Sequence, residues 1–136
     1  MSGNNIYSLP PNFPVSARVV GLGEAYVAIA DDPSVCLYNP AGLAYIRQDQ
    51  MDLGGMIPQT YAGVFISYFS YIKPITQLGG GVGGSWIRQT AFLSESIDGI
   101  NNTEYTNYDD NYNLAMGTKL FSPKIALGIT LKRYSI

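Results

Sequence analysis

The chain has 136 residues, a formal net charge of −2 and 13% charged residues. That charged fraction is about half of the roughly 25% usual in soluble domains, and the absence of a basic stripe argues against a nucleic-acid partner. With no histidine and with Cys36 as the single cysteine, Ser-His and Cys-His nucleophilic sites and zinc sites are excluded. We therefore predict neither an enzyme nor a cofactor, and we expect Cys36 to be a small buried hydrophobe.

Residues 1–15 form the first predicted segment, which is extended and irregular because Pro10, Pro11 and Pro14 interrupt it. No charged or apolar run precedes Pro10, so we expect no signal peptide in this sequence. Nor does the chain contain 18 consecutive apolar residues, which leaves no candidate for a membrane-spanning helix.

Residues 16–49 are predicted to form a compact N-terminal segment with two short helical turns. Asp32-Pro33 and Asn39-Pro40 each combine a capping side chain with a proline suited to the first helical position. Turns this short are unstable alone in water, so we expect them to pack against a larger structure such as the lumen of a barrel. A short strand is also expected around residues 25–30.

Two motifs in this segment suggest chemistry and are given a structural interpretation. Gly21-x-Gly23 matches the start of a dinucleotide-binding G-x-G-x-x-G, but Tyr26 occupies the position where the third glycine allows close packing. Asp31 and Asp32 are adjacent and are expected to point to opposite sides, which is a poor arrangement for acid–base catalysis. We predict a helix cap at Asp32 and no nucleotide site.

From Met51 onward the pattern has a period of two, which indicates strands. We predict five of them, at 50–57, 62–73, 78–93, 108–121 and 124–136, paired in sequence order as an antiparallel meander. Several exceed the 5–6 residues typical of globular sheets and reach the 9–11 that a tilted membrane strand needs.

The last two strands have the clearest alternation. One face carries large apolar side chains, at Leu114, Met116, Leu120, Ile125, Leu127, Ile129 and Leu131, and the other carries small ones, at Ala115, Gly117, Ala126 and Gly128. This is typical of lipid-facing barrel strands, although a half-buried strand of a soluble sheet has a similar pattern. The pattern therefore leaves a membrane barrel and a soluble β-sandwich open.

The predicted connections alternate in length. Residues 74–77 and 122–123 are short, whereas 94–107 is long, polar and acidic, as expected for periplasmic turns and an external loop. Oxygen-bearing residues in 98–104 leave open a weak calcium site on that loop. Tyrosines near the strand ends predict aromatic girdles at the membrane interfaces, namely Tyr61, Tyr71, Tyr105, Tyr108, Tyr112 and Tyr134.

Residues 16–47, which begin SARVVGLGEAYVAIADDPSVCLYNPAGLAYI, resemble the opening of a family of outer-membrane β-barrels. This family comprises the long-chain fatty-acid transporters and their relatives in type IX protein secretion. The resemblance implies a plug inside the barrel, with no catalytic, cofactor or metal residues. The residues that carry it are Gly21, Gly23, Asp31, Asp32, Pro33, Asn39, Pro40, Ala41, Gly42 and Leu43.

The resemblance also implies a location and a function. It places the chain in a bacterial outer membrane, in contact with lipid, where it transports hydrophobic solutes. The alternatives are a secretion accessory barrel that binds secreted cargo proteins and a soluble β-sheet binding module. Because family members have many more strands, the chain is expected to be an all-β fragment: a partial transmembrane β-barrel (50–136) with its plug (16–49), lacking the remaining strands.

Overall fold

The computed structural model describes residues 16–23, 25–57, 63–97, 101–122 and 124–135. The N-terminal segment contains helices α1 (Ala17–Gly21) and α2 (Val35–Tyr38) and 3₁₀ helices at Ala25–Ala28 and Pro40–Tyr45. It is followed by strands β1 (Gln50–Met56), β2 (Val64–Ile75), β3 (Gly80–Ile97), β4 (Asn101–Lys119) and β5 (Ala126–Ser135), with a 3₁₀ turn at Thr76–Leu78. No helix in these described ranges is long and apolar enough to cross a membrane.

The five strands form one antiparallel sheet in the order β1-β2-β3-β4-β5. This confirms the predicted five-strand meander and the all-β class. The sheet is open: within the described residues, β1 and β5 each have one neighbour. Cross-strand partners fix the alignment of all five strands, as in the row Asp52, Ser70, Ser85, Asn113 and Lys132.

The predicted long loop at 94–107 is wrong. Strand β3 continues to Ile97 and β4 begins at Asn101, with Phe92 paired to Thr106 and Ile97 to Asn101. Polar residues of low strand propensity hid this extension in the sequence, because cross-strand pairing outweighs intrinsic preference here. For residues 93–97 and 101–105 the structure describes the backbone alone, and 98–100, at the centre of the suggested calcium loop, lie outside the described residues.

The expected strand at residues 25–30 is also wrong, since Ala25–Ala28 is a 3₁₀ helix. The amide groups of Ile29 and Ala30 both donate to the carbonyl oxygen of Tyr26, at 2.9 Å, so this stretch satisfies its backbone locally. The two predicted helical turns are confirmed, but the predicted helix cap at Asp32 is wrong, because Ser34 is the N-cap of α2. Helix α2 begins after Ser34, while the Asp32 side chain accepts from the Ser34 amide in the preceding turn.

The N-terminal segment packs on one side of the sheet, here called the inner face; the opposite side is the outer face. Val19, Tyr26, Val35, Leu43 and other buried side chains of the segment form one core with Ile72 and Ala115 of the sheet. A second apolar cluster joins Val64, Ile66, Tyr68 and Ala91, with Leu37 of α2 packed against it. The segment is thus part of the hydrophobic core.

Candidate functional site

Glycines on the inner face allow the N-terminal segment to approach the sheet backbone. A β-carbon added to Gly117 or Gly128 would overlap the backbone of the Pro40–Tyr45 helix, and one added to Gly81 would lie 2.8 Å from the Leu43 carbonyl oxygen. Thr130, next on this face of β5, donates to the Cys36 carbonyl oxygen at 3.3 Å. The predicted packing of the segment on the small-residue face is therefore confirmed.

The Asn-Pro-Ala-Gly-Leu motif (residues 39–43) makes this contact. Asn39 caps the 3₁₀ helix by accepting from the Ala41 amide at 3.3 Å, and its amide group donates to the Val27 carbonyl oxygen at 2.9 Å. Leu43 is fully buried. Gly42 lies against the Ala30 backbone, where a β-carbon would collide. The motif residues thus act together as a structural unit that docks on the sheet.

The two aspartates do not point to opposite sides, contrary to the sequence expectation. Arg18 donates to both carboxylates, and its Nη1 lies 2.8 Å from Oδ2 of Asp32. Both carboxylates therefore point toward α1. The Tyr26 hydroxyl donates to Asp32 at 2.7 Å, and the Ser34 amide donates to the same carboxylate oxygen at 2.8 Å. This ion-pair and hydrogen-bond cluster closes the segment on itself.

The pKa values of the cluster follow from these contacts. Burial raises the pKa of Asp32, but hydrogen bonds from Tyr26, Arg18 and Ser34 together outweigh it and hold this pKa below its ordinary value of 3.8. Burial, and then the hydrogen bond to Asp32, raises the pKa of the Tyr26 hydroxyl. Asp32 is therefore ionised and Tyr26 is neutral at physiological pH, which suits a structural cluster.

The sequence signals near Gly21 and Cys36 also have structural explanations. Helix α1 ends at Gly21, and Gly23 adopts φ +59°, which favours glycine in the following turn. Cys36 is fully buried, as expected, and a β-carbon at Gly83 would collide with its sulfur. Burial raises the pKa of this thiol to about 11, so it is a packing group and a poor nucleophile.

The inner face also has a polar row between its two apolar clusters. Ser70 donates to the Pro33 carbonyl oxygen at 2.8 Å, and Asn113 donates to Ser85 at 3.1 Å. Ser70, Ser85 and Asn113 are all buried, and Asp52 and Lys132 continue their row to the sheet edges. The inner face therefore holds small and polar residues in addition to its two apolar clusters.

The outer face has the opposite character. All seven apolar residues expected on it in β4, β5 and their connection are exposed, from 37% for Leu120 to 68% for Leu131. The apolar surface continues into β1, β2 and the outward positions of β4, with Met51, Leu53, Phe65, Phe69, Tyr71 and Tyr112 exposed. Exposed apolar patches beyond a few hundred Å² are rare on monomeric soluble proteins and mark interaction surfaces.

The tyrosines near the strand ends lie on both faces of the sheet, and the aromatic girdle itself stays a prediction. Tyr71, Tyr108 and Tyr112 are exposed and alternate with inward residues, which places them on the outer face. Tyr134 is paired with Asn111 and shares the inner face, so its place in a girdle is wrong. The strand register puts it there, since Leu131 and Arg133 take the outward positions. Tyr61 and the Tyr105 side chain lie outside the described parts of the chain.

A cavity of about 620 Å³ opens between the N-terminal segment and the first residues of β1 and β5. Ala28, Ile29, Ala30 and Ile46 give it an apolar wall, while polar and charged groups, including Asp31, Arg47 and Lys124, complete its lining. Its volume falls within the range of about 300–1,000 Å³ typical of small-ligand pockets.

A second ion pair, which was not predicted from the sequence, lies on the outer face. Arg88 of β3 and Asp110 of β4 are direct cross-strand partners and form two parallel hydrogen bonds, each 2.9 Å long. The residue pattern gave no signal for it, because pairing the two positions requires the register of β3 and β4.

Among the described residues, no group of three acidic, cysteine or histidine side chains is placed to hold a metal ion. No known protein family, curated protein or solved structure matches this chain. The resemblance of residues 16–47 to outer-membrane barrels therefore stays a prediction.

Proposed function

We propose that the sheet is part of the wall of an outer-membrane β-barrel, that the N-terminal segment is its luminal plug, and that the barrel transports hydrophobic solutes. One observation carries this proposal: in β4 and β5 the inner-face residues are small or polar, whereas the exposed outer-face residues are mostly large and apolar. A soluble sheet buries its apolar face and leaves its polar face in water. Strands β4 and β5 have the reverse arrangement, which is that of barrel strands in lipid. Strand β2 differs, since it buries Val64, Ile66 and Ile72 on the inner face.

Exposure of the apolar outer-face side chains to water is energetically unfavourable. Full burial of a Leu, Ile or Met side chain stabilises a protein by about 1.5–3 kcal/mol. Leu114, Ile129 and Leu131 remain more than half exposed. In water each therefore lacks roughly 1 kcal/mol of the stabilisation that full burial would give. A hydrocarbon environment recovers this free energy without a second protein layer.

The sheet edges add a requirement to the proposal. Lipid does not tolerate unpaired backbone groups, which is why only closed barrels and helices cross a bilayer. The free edges of β1 and β5 must therefore pair with further strands when the sheet is in a membrane. Both edge strands, β1 and β5, line the cavity near one end of the sheet. A wall that curves around the N-terminal segment would bring these two strands to the same cavity.

The cavity supports solute transport as the role of the barrel. It combines an apolar wall at Ile29 and Ile46 with polar groups at its margin, a combination that suits a small, mainly apolar molecule. A molecule bound in this cavity would lie between the N-terminal segment and the strands.

A secretion accessory role remains the second candidate, and the β3–β4 hairpin is the observation that favours it. Pairing of β3 with β2 ends at Ala91, and pairing of β4 with β5 begins at Asp110. The Phe92 amide still donates to the Gly63 carbonyl oxygen at 2.7 Å. Within the described backbone, β3 after Phe92 and β4 before Asp110 pair only with each other. A free strand edge can bind an extended segment of another protein by strand addition.

Reconstitution tests the proposal. The full-length protein, folded in the presence of phospholipid vesicles, should float with them through a density gradient and should speed the entry of a fluorescent hydrophobic solute. Flotation without faster entry would rule out transport and leave the accessory role. A folded protein that stays in the aqueous fraction would rule out both membrane functions.

A further inference from the structure

A compact cluster of aromatic and charged residues lies on the outer face where β3 and β4 leave the sheet. The Arg88 guanidinium stacks over the rings of Trp86 and Tyr108, at 5.2 and 5.5 Å from their centroids. Trp86 donates its indole N–H to Asp110 at 2.9 Å, so this carboxylate binds Arg88 and Trp86 together. The Arg88 guanidinium, the Asp110 carboxylate and the Trp86 indole N–H thus find partners within the cluster.

The cluster divides the outer face into two regions. On one side lies the apolar surface, which begins with Tyr112 and Leu114 and continues along β4. On the other side β3 and β4 continue as the two-stranded ribbon, whose described outer-face residues are Thr90, Phe92, Thr106 and Tyr108. The continuous apolar surface therefore ends at Arg88 and Asp110, and beyond them Phe92 is a single exposed apolar side chain between threonines.

We propose that this cluster lies at the headgroup level of the bilayer, and that its partner is the polar boundary of a lipid membrane. The inference rests on the proposed membrane location. Trp and Tyr concentrate at membrane–water interfaces because their rings are apolar and their N–H or O–H groups are polar. A charged residue costs several kcal/mol at the bilayer midplane but little near the interface. The half-exposed Arg88 and the more covered Asp110 (side chains 41% and 16% exposed) fit that intermediate environment.

This placement fixes the direction of the sheet. Strand β3 continues for about nine residues beyond Arg88, or roughly 30 Å at about 3.3 Å per residue. The ribbon therefore stands in water on the side of the cluster, and the turns around Thr76–Leu78 and Phe121 lie at the opposite surface. Only one boundary of the membrane is assigned by the cluster itself.

Trp86 makes the inference directly measurable, because it is the only tryptophan of the chain. The full-length protein is folded into vesicles whose lipids carry bromine at a shallow, a middle or a deep acyl position. The expected result is strongest quenching of Trp86 by the shallow label. As a reference, a Trp86→Phe, Leu114→Trp variant should be quenched more by the deeper labels, and Trp86→Phe, Leu131→Trp serves if that variant fails to fold.

The outcomes separate this inference from the proposed function. Quenching of Trp86 that is strongest with the deep label overturns the interface position but keeps the membrane location. An unquenched Trp86 beside a quenched reference also overturns it, since the cluster would then stand in water. If neither tryptophan is quenched at any depth, the outer face does not contact lipid, and the proposed function fails together with the inference.

Discussion

Replacing Leu127 by arginine tests whether the outer face lies in lipid. Leu127 is 59% exposed on the outer face of β5, and Lys124 and Arg133 lie on either side of the apolar part of this strand. The distance between those two residues is roughly 30 Å at about 3.3 Å per residue. At a tilt of about 45° this corresponds to about 21 Å across the bilayer, close to the apolar band of about 25 Å in membrane barrels.

The same geometry gives the depth of each substitution. Leu127 lies about 7 Å inside the nearer boundary, and Ile129 about 9 Å inside. Arginine costs about 2–4 kcal/mol near the midplane and about 0–1 near an interface. We therefore expect a loss of about 2 kcal/mol for Leu127→Arg and about 3 kcal/mol for Ile129→Arg. Phe121, fully exposed in the turn after β4, is the matched control, with Phe121→Arg costing at most about 1 kcal/mol.

The measurement is the free energy of unfolding by urea in phospholipid vesicles, with tryptophan emission as the signal. The reasoning is refuted if Leu127→Arg and Ile129→Arg cost no more than Phe121→Arg. Substitutions on a water-exposed surface usually change stability by less than about 0.5 kcal/mol, so a flat series would place this face in water.

The remaining predictions concern the N-terminal segment. Gly128→Ala should lower the free energy of unfolding in urea by about 1–3 kcal/mol, because the added methyl group meets the backbone of the N-terminal segment. Gly84→Ala on the outer face, where the nearest atom is 3.5 Å away, should be nearly neutral, and equal losses in the two variants would contradict the docking. Since folding lowers the pKa of Asp32, the stabilisation by this carboxylate is present above pH 3.8 and is lost as the pH falls through the folded pKa. Asp32→Asn should be less stable at pH 7 and should lose less stability on acidification, and an unchanged pH dependence of stability would count against the cluster. Cys36, whose pKa is raised to about 11, should react with iodoacetamide at pH 8 only when the protein unfolds, and the reaction should be faster in the Gly128→Ala variant. Rapid labelling of the native protein would show that the N-terminal segment is not docked.

The strands were predictable because each has its own local signal. Alternation in residues 112–120 and 125–131 assigns both the strands and their faces, and the short connections then impose antiparallel pairing. The far ends of β3 and β4 could not be predicted in this way. Their polar residues favour a loop, and only the pairing of eighteen consecutive positions between the two strands supplies the hydrogen bonds that make them strands.

Predictability differed in the same way within the N-terminal segment. The proline positions and the Asn39 cap are local, and both were recognised in the sequence. The joint contact of Arg18 with Asp31 and Asp32 is not local, since it depends on how the turn at Ala30, with φ +43°, returns the chain toward α1. A non-glycine residue with positive φ is uncommon, and nothing in the alternation or composition indicates it.

The glycines explain why the two faces of the sheet cannot be exchanged. At Gly83, Gly117 and Gly128 a single β-carbon would meet atoms of the N-terminal segment, so the large outward residues beside them cannot turn inward. A register shift of one residue would turn the outward side chains of a strand to the inner face. The segment therefore selects the register in which Leu114, Ile129 and Leu131 face outward. The apolar outer surface is thus a consequence of docking the N-terminal segment on the inner face. The environment of the folded protein must therefore accommodate the docked segment and the apolar surface together.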